Sequence, residues 1–177
     1  MKKLVNLLPA LALAVAMLAS HPAAASAAVT VVGTVNGGGT ANMTDVVAAG
    51  FKGVSSFGFQ AKLFSDGTAQ GHFDCVDHMG DPPGYPGNIF GDITSWSRDT
   101  TTGDIILYIT NGKLVGHGAP VVPSGLTFTV TIQSSGGAGV GHWTLEGPPD
   151  SGFTSPFNGG PICQELLTSG QIVVRWS

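Results

Sequence analysis

Charged residues are scarce in this chain of 177 residues: Asp, Glu, Lys and Arg together make up 10% of it. Basic residues are especially few, with seven Lys and Arg against eleven Asp and Glu. Because nucleic-acid binding depends on Lys and Arg that neutralise phosphates, this balance argues against a nucleic-acid partner. A disordered chain is also disfavoured, since disorder goes with low hydrophobicity and high net charge, whereas 42% of these residues are hydrophobic.

Familiar catalytic motifs are missing as well. The sequence contains no G-x-S-x-G or H-E-x-x-H motif, no P-loop and no dinucleotide fingerprint. It also lacks the acidic spacing of an EF-hand and any C-x-x-C pair. The length suits one ordinary domain and disfavours an enzyme with separate cofactor and substrate lobes. The sequence therefore predicts no catalytic residue and no cofactor; it favours a protein that is not an enzyme and leaves enzymatic activity open.

The first residues have the pattern of a secretory signal peptide. Lys2 and Lys3 supply a positive start, an apolar run covers 7–18, and Ala25-Ser26-Ala27 has the small-x-small pattern of a cleavage site. We expect a signal peptide at 1–27 and one secreted domain at 28–177, extracellular or periplasmic, with no membrane contact after cleavage. The mature chain would keep five basic and eleven acidic residues.

The remainder is rich in glycine, with 27 in the chain, and hydrophobic residues alternate with polar ones between glycine-containing turns. The clearest hairpin joins 57–64 to 68–76 through Ser65-Asp66-Gly67. Asn36-Gly37-Gly38-Gly39 is predicted to end the first strand, and 44–50 to form a turn or two of helix. Other strands are predicted at 29–35, 88–96, 104–110, 113–118, 126–133, 140–146 and 171–177. About eight short antiparallel strands indicate an all-β barrel or barrel-like sandwich.

Two long Pro/Gly-rich loops, 78–87 and 147–163, interrupt the strands next to the two cysteines. Loops of this length are often functional. In an oxidising compartment an even pair of cysteines is expected to be bridged, so we predict a disulfide between Cys75 and Cys163. Such a bond would tie the ends of both loops together.

Candidate site residues lie in these loops and on one strand. Tyr85 and Phe153 are aromatic residues in the loops and are the predicted anchors of a binding surface. His72 and Asp74 are two residues apart, so they share one face of a strand and are candidate binding residues. Asp77 and His78 are the candidate metal ligands, although tetrahedral zinc needs further ligands that the sequence does not locate.

The sequence has two glutamates, Glu146 and Glu165, and both are candidates for general acid chemistry. Either would have a raised pKa, suited to general acid catalysis, if it faced an apolar cavity. The sequence leaves open whether they face each other or the interior.

The run FGFQAKLFSDGTAQGHFDCVDH at 57–78, the strand LTFTVTIQ at 126–133 and the closing QIVVRW at 171–176 together resemble a group of small secreted bacterial β-domains rich in glycine. The resemblance implies the same β fold and no established activity, cofactor or catalytic residue. One departure concerns 134–139, where Ser-Ser-Gly-Gly-Ala-Gly stands in place of the group's acidic loop.

These observations favour a secreted, non-catalytic binding or structural module, whose partner is an extracellular macromolecule or small ligand of unknown identity. One alternative is a barrel with an internal cavity, lined by Phe57, Phe59 and Phe73, that binds or transforms a small apolar ligand. Another is a metal-binding protein or hydrolase that uses Asp77 and His78.

Overall fold

The computed structural model describes residues 27–78, 87–116, 122–148 and 151–177. The predicted signal peptide, apart from its last residue, and the loop residue Tyr85 lie outside the described residues. Within them the chain is all-β and closes into an eight-stranded antiparallel barrel, as predicted. The described residues hold no helix with the length and apolar character needed to cross a membrane.

Each strand pairs with the next along the chain, and the last strand pairs with the first. Closure leaves no unpaired edge, which suits a sheet whose strands carry few charges. One short helix follows the first strand. The elements are β1 (Val31–Met43), α1 (Thr44–Ala48), β2 (Val54–Phe64), β3 (Thr68–Asp77), β4 (Asn88–Arg98), β5 (Ile105–Val115), β6 (Val122–Ser135), β7 (Gly141–Glu146) and β8 (Cys163–Trp176).

The predicted hairpin between 57–64 and 68–76 is confirmed as β2 and β3, which pair Leu63 with Ala69 next to the turn. Gly67 in that turn has a φ of 83°, a conformation that costs glycine little. The predicted short helix is confirmed as α1.

The predicted end of the first strand at Asn36–Gly39 is wrong, because β1 continues through these residues to Met43. Gly37 faces inward, and a Cβ atom there would lie 2.4 Å from the ring of Phe59. Gly37 therefore permits close packing inside a continuous strand. In the sequence alone, a run of glycines looks like the end of a strand.

Other strand boundaries also differ from the prediction, and β6, predicted at 126–133, spans Val122–Ser135. The strand predicted at 104–110 continues through 113–115 as β5, in which Asn111 adopts a φ of 52° at an irregularity in the pairing; 117 and 118 lie outside the described residues. The final strand, predicted at 171–177, begins at Cys163. The residues 163–170, which were not predicted to form a strand, are therefore part of the barrel wall.

The barrel interior is filled by side chains from every strand. Trp143 lies fully buried at its centre, with ring centroids 5.4 Å from Phe57, 6.3 Å from Phe59 and 5.7 Å from Phe73. These four aromatic side chains form a packed core in which the rings meet Trp143 at tilted or edge-on angles, while Phe59 and Phe73 are stacked.

The predicted disulfide is wrong in this structure. Cys75 on β3 and Cys163 at the start of β8 are both buried and form no bond; their thiols stand 4.5 Å apart. A disulfide requires the sulfur atoms to approach to about 2.05 Å. β3 and β8 are not neighbours in the sheet, so each cysteine is positioned by its own strand pairing on a different part of the wall.

Candidate functional site

Polar chemistry is concentrated in two regions of the barrel wall. One is a groove on the outer face of β8, β1, β2 and β3, and we call it the outer groove. The other lies inside the barrel at the end where α1 packs, and we call it the buried cluster. The residues of the outer groove are Asn36, Gly37, Gly38, Gly58, Phe59, Gln60, His72, Asp74, Gln171 and Val173. The buried cluster comprises Ser55, Cys75, Asp77, Cys163 and Glu165.

The floor of the outer groove is made by two glycines that face each other across neighbouring strands. Gly38 on β1 pairs with Gly58 on β2. A Cβ atom at Gly38 would meet only the carbonyl oxygen of Phe57, at 3.7 Å. The Asp74 carboxylate lies over Gly58, 2.9 Å from where its Cβ atom would be, so the depression of about 490 Å³ is open above Gly38 and bordered by Asp74.

The rim of the outer groove is formed by polar side chains in a cross-strand row. Asn36 pairs with Gln60, Gln60 with His72, and His72 with Asp92 on β4. Strands lie about 4.8 Å apart, so the row places one polar side chain at each such step around the barrel. His72 also borders two further depressions on the outer face: one of about 170 Å³ extends the row towards β4 and β5, and one of about 340 Å³ lies further along β2 and β3, beside Lys62 and Gln70.

The outward carboxylates differ in their surroundings. Partial burial raises the pKa of Asp74, and the charge of His72 opposes this rise. A hydrogen bond from the Asn111 amide to the Asp92 carboxylate, 3.0 Å long, lowers the pKa of Asp92, and His72 adds to this effect with its Nδ1 3.7 Å from Asp92 Oδ1. The predicted binding residues His72 and Asp74 thus both lie in the outer groove.

The buried cluster places acidic groups in an apolar setting. Glu165 is fully buried, and on β8 it pairs with Met43 on one side and Trp143 on the other. Burial raises the pKa of Glu165 to about 8; the nearby Ser55 hydroxyl lowers it in part, and the charges of Asp45 and Asp77 raise it further. Ser55 lies close enough for this influence, yet its geometry falls short of a hydrogen bond.

The thiols belong to the same cluster. The Sγ atoms of Cys75 and Cys163 and a carboxylate oxygen of Glu165 all lie within 4.8 Å of one another. Interaction with the Cys163 side chain raises the pKa of Cys75 well above its ordinary value, and burial and the charges of Glu165 and Asp77 add to this. At neutral pH Cys75 is therefore protonated as long as the cluster contains no cation.

The barrel end above the buried cluster is covered. Val46 of α1 is fully buried, and Asp45 accepts a short hydrogen bond from the hydroxyl of Ser155, which lies in the segment before β8. Ile162, in the same segment, is also fully buried. The helix and this segment together shield the cluster from water.

The predicted metal pair is separated in the structure. Asp77 points into the barrel and is buried, whereas His78 is exposed and its ring lies 2.7 Å from the Ser56 hydroxyl. The structure therefore brings Asp77 towards the cysteines and places His78 on the outer surface.

Phe153, the predicted loop anchor, is half-buried and packs against the core. It also lines a depression of about 420 Å³ in the segment between β7 and β8, beside Glu146. Phe153 is thus part of the packed surface of this segment and separate from the outer groove.

Glu165 is the site residue that sequence reasoning did not locate. Its signal was present: Cys163, Glu165 and Leu167 alternate, so a strand beginning at Cys163 would have turned all three inward. No protein-family model, curated protein or solved structure matches the chain, so the chemistry of the outer groove and the buried cluster is the basis for assigning a function.

Proposed function

We propose that this protein is a secreted, non-catalytic binding module whose outer groove holds a neutral, hydroxyl-rich polymer such as a polysaccharide chain. The observation that carries the proposal is the glycine floor made by Gly38 and Gly58, bordered by a row of polar side chains on the outside of a closed barrel. The secretory pattern at 1–27 and the resemblance to secreted β-domains agree with this function.

The chemistry of the rim supports a neutral ligand. The side chains of Asn36, Gln60 and Gln171 each offer both hydrogen-bond donors and acceptors, which suits hydroxyl groups. The nearby carboxylates of Asp74 and Asp92 disfavour an anionic ligand, as does the excess of acidic over basic residues in the chain.

The shape supports an extended ligand. His72 borders three depressions along the same outer face, so a ligand in the outer groove has further surface to follow towards β4 and β5. From Val173 on β8 to Asp92 on β4 the row crosses four strand spacings, about 19 Å in all. This length suits several units of a polymer better than a single small molecule.

The groove residues favour binding over catalysis. None of the side chains that line the outer groove is a serine, threonine or cysteine, and His72 is directed at Asp92. The alternative of a ligand inside the barrel has less support, because Phe57, Phe59 and Phe73 pack against Trp143 in the interior.

Affinity electrophoresis through gels that contain neutral polysaccharides tests the proposal. We expect retardation of the wild-type protein by at least one of them. Gly38→Val should abolish it by filling the floor, and Gln60→Ala should weaken binding by about fivefold, the value of one hydrogen bond. Thr127→Val, at an exposed position on β6, is the matched control and should bind like wild type.

Two results would contradict the proposal. One is that no neutral polysaccharide retards the wild-type protein. The other is that Gly38→Val is retarded as strongly as wild type, which would place the binding surface elsewhere on the barrel.

A further inference from the structure

The buried cluster contains a set of metal-ligating groups that the outer groove does not use. We propose that Cys75, Cys163 and Glu165 form an internal binding site for a thiophilic divalent cation of the Zn²⁺ class, with the buried Asp77 on the same face of β3 as Cys75. This site is independent of polysaccharide binding, because its side chains point to the opposite face of the barrel wall.

The donor set selects the class of metal. Two thiolates with carboxylate oxygen suit Zn²⁺ and similar ions, whereas Mg²⁺ and Ca²⁺ prefer oxygen ligands throughout. The thiols and acidic groups of this region come from two strands, with Cys75 and Asp77 on β3 and Cys163 and Glu165 on β8. In both pairs the residues are two apart, so both side chains of each pair face the interior.

The distances are close to those of a bound ion. The two Sγ atoms and the Glu165 oxygen lie within 4.8 Å of one another. A tetrahedral zinc with Zn–S bonds of about 2.3 Å holds its sulfur ligands roughly 3.8 Å apart. Closing this difference requires shifts of less than about 1 Å, which side-chain rotation on two fixed strands can provide.

Glu165 supplies an independent indication of a missing ligand. Its side chain is fully buried, and neither carboxylate oxygen has a hydrogen-bond partner among the described residues. A buried polar group without a partner is costly, and buried carboxylates in proteins are usually paired or coordinate a metal. A cation held between Glu165 and the two thiolates would give the buried carboxylate the partner that it lacks.

The surroundings indicate how the ion enters. Because α1 and the segment before β8 cover this end of the barrel, loading is expected during folding. Binding then releases the thiol protons and any carboxyl proton to solvent, so two thiolates and carboxylate face the cation.

The test uses the protein isolated from its producing cells without chelators, and the same protein unfolded under reducing conditions and refolded with Zn²⁺ or Co²⁺. We expect native mass spectrometry to find one metal ion per chain. The Co²⁺ form should show the charge-transfer absorption of thiolate coordination. A chelator present during refolding should lower the melting temperature.

Three variants separate this site from binding at the surface. Cys75→Ala and Glu165→Gln should lose the metal, and circular dichroism establishes that each still forms the barrel. Asp74→Asn, which faces outward on the same strand, should keep it. If Cys75→Ala does not fold, Glu165→Gln alone tests the site: it should bind no stoichiometric metal and show no Co²⁺ charge-transfer absorption.

Three outcomes would overturn the proposal. The first is that the refolded protein binds no stoichiometric metal, and the second is that Cys75→Ala and Glu165→Gln retain the ion. The third is a denatured mass of the isolated protein that is two hydrogens lower than that of the reduced chain, which would mean that the thiols are consumed in a covalent bond. None of these outcomes affects polysaccharide retardation, so the two proposals fail separately.

Discussion

The outer groove and the buried cluster are built on the same strands, yet their side chains have opposite properties. On β3, Asp74 faces out and Asp77 faces in, three residues further on. Outside, Asp92 is exposed and a hydrogen bond lowers its pKa, whereas inside, burial raises the pKa of Glu165 to about 8. The difference follows from their surroundings: burial favours the neutral form of Glu165, whereas the hydrogen bond from Asn111 favours the charged form of Asp92.

The largest expected effect comes from truncating a large side chain inside the barrel and comparing it with a truncation on the outer face. Trp143→Ala should lower the free energy of unfolding by about 3–5 kcal/mol, because it removes a fully buried side chain that contacts three aromatic rings. Gln60→Ala, exposed in the outer groove, should change it by less than about 0.5 kcal/mol. Urea denaturation measures both. A loss below about 1 kcal/mol for Trp143→Ala would mean that the interior is loosely packed.

The next effect is the pH dependence of the metal-free protein. The folded pKa of Glu165, about 8, lies above its ordinary value of 4.5, so the folded state holds this proton more tightly than the unfolded state does. The contribution of Glu165 to the free energy of unfolding is therefore fully present below about pH 4.5 and is lost as the pH rises to about 8. Within that window stability should fall by up to about 1.4 kcal/mol per pH unit.

Glu165→Gln is the matched control for this effect, because the amide keeps the shape of the side chain and does not ionise. Its unfolding free energy should fall less steeply between pH 5 and 8 when both proteins are measured with chelator and reductant. Asp45 and Asp77 face the same region and remain in both proteins, so the difference between the two curves belongs to Glu165. Parallel curves would show that Glu165 is ionised in the folded state.

Alanine substitutions at two neighbouring glycines, Gly37 facing inward and Gly38 facing outward, compare the two faces of the barrel wall through a single added methyl group. Gly37→Ala should destabilise the protein by about 1–3 kcal/mol, because the new methyl group would lie 2.4 Å from a Phe59 ring that its packed neighbours hold in place. Gly38→Ala should be nearly neutral, since its methyl group would meet one atom at 3.7 Å in the open floor. Thermal unfolding of both variants checks this, and equal losses would refute the assignment of Gly38 to the outer groove.

The barrel was predictable because its signals are local. Alternation places Phe57, Phe59, Phe73 and Cys75 on one face, and Gly67 marks the hairpin between their strands, so this part of the wall follows from the sequence. The continuation of β1 through Gly37 was not predictable, because it depends on Phe59 lying over that glycine from the next strand.

The sites were predictable to a smaller degree. The shared face of His72 and Asp74 follows from their spacing, but their place beside a glycine floor depends on the pairing of Gly38 with Gly58. The even number of cysteines led us to expect Cys75 near Cys163, but the position of Glu165 beside them depends on barrel closure, which brings β3 and β8 to face one interior. No local pattern contains that information.

The smallest predicted effect concerns the cross-strand row on the outside. Asn111→Gly removes the amide that donates to Asp92, and glycine readily adopts the φ of 52° found there. The pKa of Asp92 should rise towards its ordinary value, and His72→Gln should raise it less, because the Asn111 hydrogen bond is the larger cause of its lowered pKa. NMR titration of the Asp92 carboxyl group measures this, with Asp66 as the control, since its lowered pKa depends on Thr68 and should not move. An unchanged pKa in Asn111→Gly would mean that the row is a set of separately solvated side chains, and the outer groove would then lack a prearranged rim for a ligand to meet.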